Sequence, residues 1–237
     1  DGETLTLNNA TVIVDEAEAK DKAVYYAIEL TEGGNIQIEG VNTVKGPSYS
    51  NNPVYGMTSY GIYFSSGRLT IDGSGTLNVS GQSGALRAFV NATGLTINGG
   101  TVNAKSSSSF DSYGHSTNRA IYIDGGGITI NGGTVKVTAN HSDGAPDGIY
   151  AVGDIIINSG VVNAEATGTG TSSYGIYSLD NVVITGGVVT AFGTTQGIRA
   201  GYSDTVTINP VEVSEIHVMA GEDAGSAEEI DGSPIRT

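Results

Sequence analysis

The chain predicts an all-β fold, a right-handed single-stranded parallel β-helix (a solenoid) of about eight coils with three short strands per coil. Three observations predict it. A hydrophobic phrase first met at Leu5-Thr6-Leu7-Asn8 returns seven times, at Ile36-Gln37-Ile38, Leu69-Thr70-Ile71, Leu95-Thr96-Ile97, Ile128-Thr129-Ile130, Ile155-Ile156-Ile157, Val182-Val183-Ile184 and Val206-Thr207-Ile208. A second alternating strand follows most copies, as in Thr101-Val102-Asn103-Ala104 and Thr134-Val135-Lys136-Val137. A third short strand then reads Gly61-Ile62-Tyr63, Ala120-Ile121-Tyr122 or Gly175-Ile176-Tyr177. Repeats of this kind bury a core only by stacking on their neighbours.

The first strand has Leu, Ile or Val at alternate positions, so Leu95 and Ile97 point inward and Thr96 outward. The same period puts Val102 and Ala104 inside and Asn103 outside. Phrase starts at 5, 36, 69, 95, 128, 155, 182 and 206 are 24 to 33 residues apart. That spacing is too long and irregular for a hexapeptide-type left-handed helix. The variation is concentrated between second and third strands, at 45–59, 105–118, 140–147 and 166–173, where Ser, Gly, Asn and Tyr dominate. Loops leaving one side of a stacked fold commonly form its binding side. The segment 15–22 (DEAEAKDK) is expected as a charged loop. Residues 1–218 are assigned to the β-helix, and 219–237 to a cap, a linker or the start of a downstream segment.

Composition narrows the partners. A net charge of −15, from 25 acidic and 10 basic residues, argues against nucleic acid or an anionic bilayer. No window is apolar and long enough for a membrane span, so no membrane insertion is expected. Cysteine is absent, which removes disulfides and thiolate metal sites. No leader peptide is visible, and an opening at Asp1-Gly2-Glu3 is compatible with a mature or trimmed form. Exposed Thr, Ser, Asn and Gly point to a secreted or cell-surface bacterial protein, and a monomer is expected.

The asparagines closing the first strand, Asn98, Asn131, Asn158 and Asn209, with Asp72 and Thr185 as variants, are expected to serve turns and coil-to-coil bonding. The outward position of the third strand is more distinctive. It holds Glu29, Tyr63, Arg87, Tyr122, Tyr150, Tyr177 and Arg199. Tyrosine rings offer apolar faces to sugar rings, while hydroxyls and guanidiniums offer polar contacts, so Tyr63, Arg87, Tyr122, Tyr150, Tyr177 and Arg199 form the candidate carbohydrate site. A ladder of rings stacked on one another for stability is the alternative. Tyr49, Tyr55, Tyr60, Phe110, Tyr113 and Tyr174, in or beside the insertions, could rim the same face.

Asp143 and Asp147 share one tight loop and are the candidate metal ligands, with calcium as the ion weighed, because calcium takes six to eight oxygens. No EF-hand loop or nonapeptide calcium repeat supports it, and no cofactor is assigned. Asp124, Asp154, Asp180 and Asp204 suit solvated turns. No catalytic residue is assigned. Lys105 and Lys136 are the lysines nearest the strand–loop border, and His115, His141 and His217 lie in different coils.

The sequence LTINGGTVNA with a loop and DGIYA, seen most cleanly between Ile128 and Ala151, resembles the secreted bacterial β-helix carbohydrate-binding domain proteins, which are similar to non-catalytic relatives of the family 9 polysaccharide lyases. The resemblance implies a pectate-lyase-like fold and a calcium-associated acidic residue before Gly-Ile. Asp147 alone matches that position; Tyr60, Arg119, Tyr174 and Gln196 occupy the equivalents. The expected function is an extracellular polysaccharide-binding module, its partner a polysaccharide or cell-wall glycan. A β-helix lyase or hydrolase and an adhesin-like spacer are the alternatives.

Overall fold

The computed structural model describes residues 3–15, 24–48, 58–107, 118–141, 144–170, 172–208, 215–220 and 228–229. In chain order the first repeat gives β1 (Thr4–Asn8), β2 (Thr11–Ile13) and β3 (Val24–Leu30), and the second opens with β4 (Gly34–Glu39) and β5 (Val41–Lys45). Then come β6 (Thr58–Gly73), β7 (Thr76–Gly81), β8 (Gly84–Ile97), β9 (Thr101–Ser106) and β10 (Arg119–Ile123). Regular triplets follow: β11 (Gly127–Ile130), β12 (Thr134–His141), β13 (Asp147–Ala151); β14 (Ile155–Ile157), β15 (Val161–Gly168), β16 (Tyr174–Ser178); β17 (Val182–Ile184), β18 (Val188–Gly193), β19 (Gln196–Arg199). The described strands end with β20 (Val206–Ile208), β21 (Glu215–Ala220) and β22 (Glu228–Glu229).

These strands form two sheets. Sheet A has 13 strands and follows the path β19-β16-β13-β10-β8-β11-β14-β17-β20, with β1, β3, β4 and β6 joined to it; sheet B has nine, from β2 through β5, β7, β9, β12, β15 and β18 to β21 and β22. Every pairing between described strands is parallel except β21 with β22. Sheet A turns back on itself: its two ends, β19 and β20, are consecutive in the chain, joined by residues 200–205, which makes it a nearly closed, barrel-like wall. Sheet B stays open.

This corrects the expected solenoid of coils with three separate short strands, and with it the pectate-lyase-like β-helix architecture. The third strand of one repeat and the first strand of the next belong to the same sheet, and twice they are one strand, the 16-residue β6 and the 14-residue β8. The cause is local. In β6 the link Ser65-Ser66-Gly67-Arg68 stays within the sheet ladder, with register shifts between Phe64 and Ser66 and between Gly67 and Arg68. In β8 the link runs through Phe89, Val90 and Asn91. Later links carry Gly125-Gly126, Gly153-Asp154 and Asp180-Asn181, turn residues that end a strand.

The in–out alternation holds. Ile36, Ile38, Leu69, Ile71, Leu95, Ile97, Ile128, Ile130, Ile155 and Ile157 from the phrase, with Leu77, Val102, Val135, Val162 and Val189 from sheet B and Ile62, Leu86, Ile121, Ile149 and Ile176 from the third strands, form one buried core. Polar residues also enter the inward columns, among them Asn42, fully buried in the column of Leu77. It is satisfied: its Oδ1 accepts from Ala10 N (2.9 Å), and its Nδ2 donates to the carbonyls of Glu39 (3.0 Å) and Thr76 (3.2 Å).

The asparagine column has the expected structural role. Asn131 Nδ2 donates to Asn98 Oδ1, Asn158 Nδ2 to Asn131 Oδ1 and Thr185 Oγ1 to Asn158 Oδ1, each at 2.9 Å. The left-handed backbone falls two residues later, on Gly100, Gly133, Gly160 and Gly187, at φ of 70, 77, 93 and 93°. A Cβ on Gly133 would lie 2.4 Å from the Gly100 carbonyl oxygen, so neither the dihedral nor the packing admits a side chain. Gly133→Ala is expected to lower unfolding free energy by at least about 2 kcal/mol. Asn131→Ala, which removes two solvent-accessible ladder bonds, should cost about 1–2 kcal/mol. Denaturant midpoints check both, and equal losses would show that the glycine column is not the tighter constraint.

Candidate functional site

The third strands align the candidate residues in one register. Glu29 pairs with Tyr63, Tyr63 with Arg87, Arg87 with Tyr122, Tyr122 with Tyr150, Tyr150 with Tyr177 and Tyr177 with Arg199. A second outward column lies three residues earlier: Tyr26, Tyr60, Gly84, Arg119, Asp147, Tyr174 and Gln196. Strict alternation would place residues three apart on opposite faces. The Gly or Ala between them is skipped in the ladder, so Arg119 pairs with Asp147 and Ile121 with Ile149 while Ala120 and Gly148 do not pair. Small residues are needed there because the strands approach closely; a Cβ on Gly148 would sit 2.5 Å from the Gly175 carbonyl oxygen. Tyr60 and Tyr174, expected at the rim, are thus full members of the face. Tyr26 and Arg119 were not foreseen, and the X-Gly/Ala-Ile-Tyr spacing is the signal for them.

The two columns interlock. Arg87 lies over the Tyr122 ring at 3.6 Å, and Arg119 lies over Tyr150 at 3.6 Å and Tyr122 at 4.5 Å. Tyr122, Tyr150 and Tyr177 meet edge to face at 5.1 and 5.3 Å. Arg199 sits 4.8 Å from the Tyr174 ring centroid and 5.2 Å from that of Tyr177, and its Nη1 donates to the Tyr174 hydroxyl. At the other end Tyr26 stacks on Tyr63 at 4.1 Å with planes 12° apart, and on Tyr60 at 6.2 Å. Tyr150 is only 6% exposed. The middle of the face is therefore a ring–guanidinium ladder, while Tyr26 and Tyr63 present a partly exposed parallel pair.

Two ion pairs fix the ladder. Arg87 Nη2 lies 3.1 Å from Asp124 Oδ2, and Arg119 Nε lies 2.9 Å from Asp147 Oδ2. Asp124 is thereby an arginine partner rather than only a solvated turn residue. Asp147 is 3% exposed, and its Oδ1 has no hydrogen-bond partner. Burial pushes its carboxyl up from 3.8 to about 6, against the opposing pull of Arg119. Burial also pushes the Tyr150 and Tyr26 hydroxyls up to about 12, in Tyr26 with help from Tyr63, so both rings keep their donor proton.

Of the two metal candidates, Asp143 lies outside the described residues, as do Tyr49, Tyr55, Phe110, Tyr113 and His115. Among the described residues no group of three or more His, Asp or Glu side chains comes together. No helix among them is long and apolar enough to cross a membrane.

Comparison with protein-family models, with curated proteins and with solved structures finds no match. The two-sheet architecture corrects the resemblance to β-helix carbohydrate-binding proteins and relatives of the family 9 lyases. It also removes the three functions that rested on that architecture: a β-helix binding module, a β-helix lyase or hydrolase, and a β-helix spacer.

The Asp147 shift fixes the sign of a pH dependence. The native state holds this proton more tightly than the unfolded chain, so the contribution to stability is fully present below pH 3.8 and is lost as pH rises through about 6. Asp147→Asn keeps a polar group of the same shape without the ionisation. The native protein should therefore lose up to about 3 kcal/mol relative to Asp147→Asn between pH 4 and 7. Parallel stability–pH curves from urea unfolding would show that Asp147 is not the titrating group.

Proposed function

We propose that the Tyr–Arg face of sheet A binds saccharide at its Tyr26–Tyr63 end, with Tyr177 and Arg199 as a smaller contact at the other end. The observation that supports this is the stacked pair itself: two rings 4.1 Å apart, 12° from parallel and partly exposed. The stacked pair leaves an outer ring face and a hydroxyl-bearing edge for a ligand, which suits the apolar C–H face and polar rim of a sugar ring. The proposal rests on side chains alone.

Tyr122 and Tyr150 have a different part. Guanidiniums at 3.6 Å cover a face of each ring, so these residues hold the ladder together and set the spacing of its ends. The polysaccharide partner expected from the sequence is thus narrowed to a ligand that engages the ends of the face, and chiefly the Tyr26–Tyr63 end.

Titration with a panel of plant, microbial and mucosal oligosaccharides tests this, followed by tyrosine fluorescence, since the chain has 12 tyrosines and no tryptophan. Tyr26→Ala and Tyr63→Ala should each weaken binding about 10-fold or more. Tyr150→Ala should lower the melting temperature and leave the affinity of the folded fraction within about 2-fold. Undiminished binding by the Tyr26→Ala, Tyr63→Ala double variant, or no binding across the panel, would overturn the proposal.

A further inference from the structure

A groove of about 290 Å³ opens where sheet A bends between the Tyr–Arg face and the phrase strands, lined by Glu32, Gly33, Gly34, Asn35, Gly67, Arg68 and Thr70. It exists because two successive bends are built from glycine. A Cβ on Gly33 would lie 2.2 Å from the Arg68 carbonyl oxygen, and Gly67 takes a φ of 68° with its missing Cβ 2.8 Å from Gly33 N. The bends approach too closely for side chains at Gly33 and Gly67, which leaves bare backbone there, with Glu32 and Arg68 among the residues around it.

Arg68 is held in place by the next repeat. Its Nη2 donates to the Thr93 carbonyl (2.8 Å), and its Nη1 to Thr96 Oγ1 (3.1 Å) and the Leu95 carbonyl (3.4 Å). A guanidinium has five N–H donors, so three such bonds leave two for a ligand. The residues lining the groove thus carry a guanidinium on Arg68, a carboxylate acceptor on Glu32, an amide with both donor and acceptor on Asn35 and a hydroxyl on Thr70. A singly charged ligand would meet a like charge among these groups, and an apolar one would make no use of them. Closely spaced donors and acceptors of both kinds match a neutral polyol.

The groove and the ring pair share a strand: Tyr63 and Gly67 both lie on β6, four residues apart, at most about 13 Å. We propose that the groove is a second subsite for the saccharide that stacks on Tyr26 and Tyr63, taking a neutral sugar unit further along the same chain. This rests on the saccharide function given above. It makes the ligand an oligosaccharide longer than a disaccharide and predicts that affinity rises with chain length.

The test uses size series, dimer to hexamer, of gluco-, xylo- and galacturono-oligosaccharides with the intact protein and the variants Glu32→Ala, Arg68→Ala and Tyr63→Ala, whose melting temperatures are measured alongside. Glu32→Ala and Arg68→Ala should each weaken the hexamer about 3- to 10-fold and leave the dimer unchanged, whereas Tyr63→Ala should weaken every length. If Arg68→Ala melts early through loss of its bonds to β8, Glu32→Ala decides alone. Binding by the intact protein that is independent of length, or groove variants that bind the hexamer normally, would overturn the subsite and leave the ring platform standing. A panel in which no length binds the intact protein would overturn the platform as well.

Discussion

Everything in this molecule depends on parallel strands pairing in register from one repeat to the next. Register places like side chains above like, so a choice made once in the sequence becomes a column: isoleucine over isoleucine inside, asparagine over asparagine at the turn, tyrosine over tyrosine or arginine outside. Such a column is worth more than its separate members. The amide ladder from Asn98 to Thr185 needs each rung to present a donor above and an acceptor below, which only an aligned stack supplies. One shifted residue would turn an entire set of core side chains toward solvent.

The Tyr–Arg face shows the same constraint applied to charge. The chain carries only five arginines, Arg68, Arg87, Arg119, Arg199 and Arg236, and three of them stand on this face of a strongly acidic protein. Two are neutralised by Asp124 and Asp147, and each places its guanidinium on a ring. The cost of burying Asp147 appears as its raised protonation range, so the ladder trades some stability near neutral pH for a fixed arrangement of rings.

Much of this was legible in the residues. Period-2 alternation identified the inward columns and the Glu29-to-Arg199 register, because burial and pairing follow directly from it. The fusion of strands in β6 and β8 was less visible, since Ser65-Ser66 and Phe89-Val90 have no feature that forbids a turn; what they lack is the Gly-Gly or Asp-Asn that later repeats use to make one. The second outward column escaped for a specific reason. Alternation assumes that every residue takes part in the ladder, and the skipped residue before Ile62, Ile121, Ile149 and Ile176 inverts the parity, bringing Tyr60, Arg119, Asp147 and Tyr174 to the outside. Tyr26 belongs to the same column, but the atypical Ala27-Ile28-Glu29 of the first repeat hid its partner ring. The groove beside Arg68 depends on how closely two backbones approach, which no single stretch of sequence encodes.

The two long strands have a mechanical consequence. Where the later repeats change direction between strands, β6 and β8 carry the chain around the bend of sheet A within one strand. A pull or twist applied to the Tyr26–Tyr63 region would pass along β6 into the phrase ladder through backbone that stays in one sheet, its register shifting only between Phe64 and Arg68. This end of sheet A should behave as the stiffer bracket, and the stretch from β10 to β20, broken by a turn in every repeat, as the part that yields first.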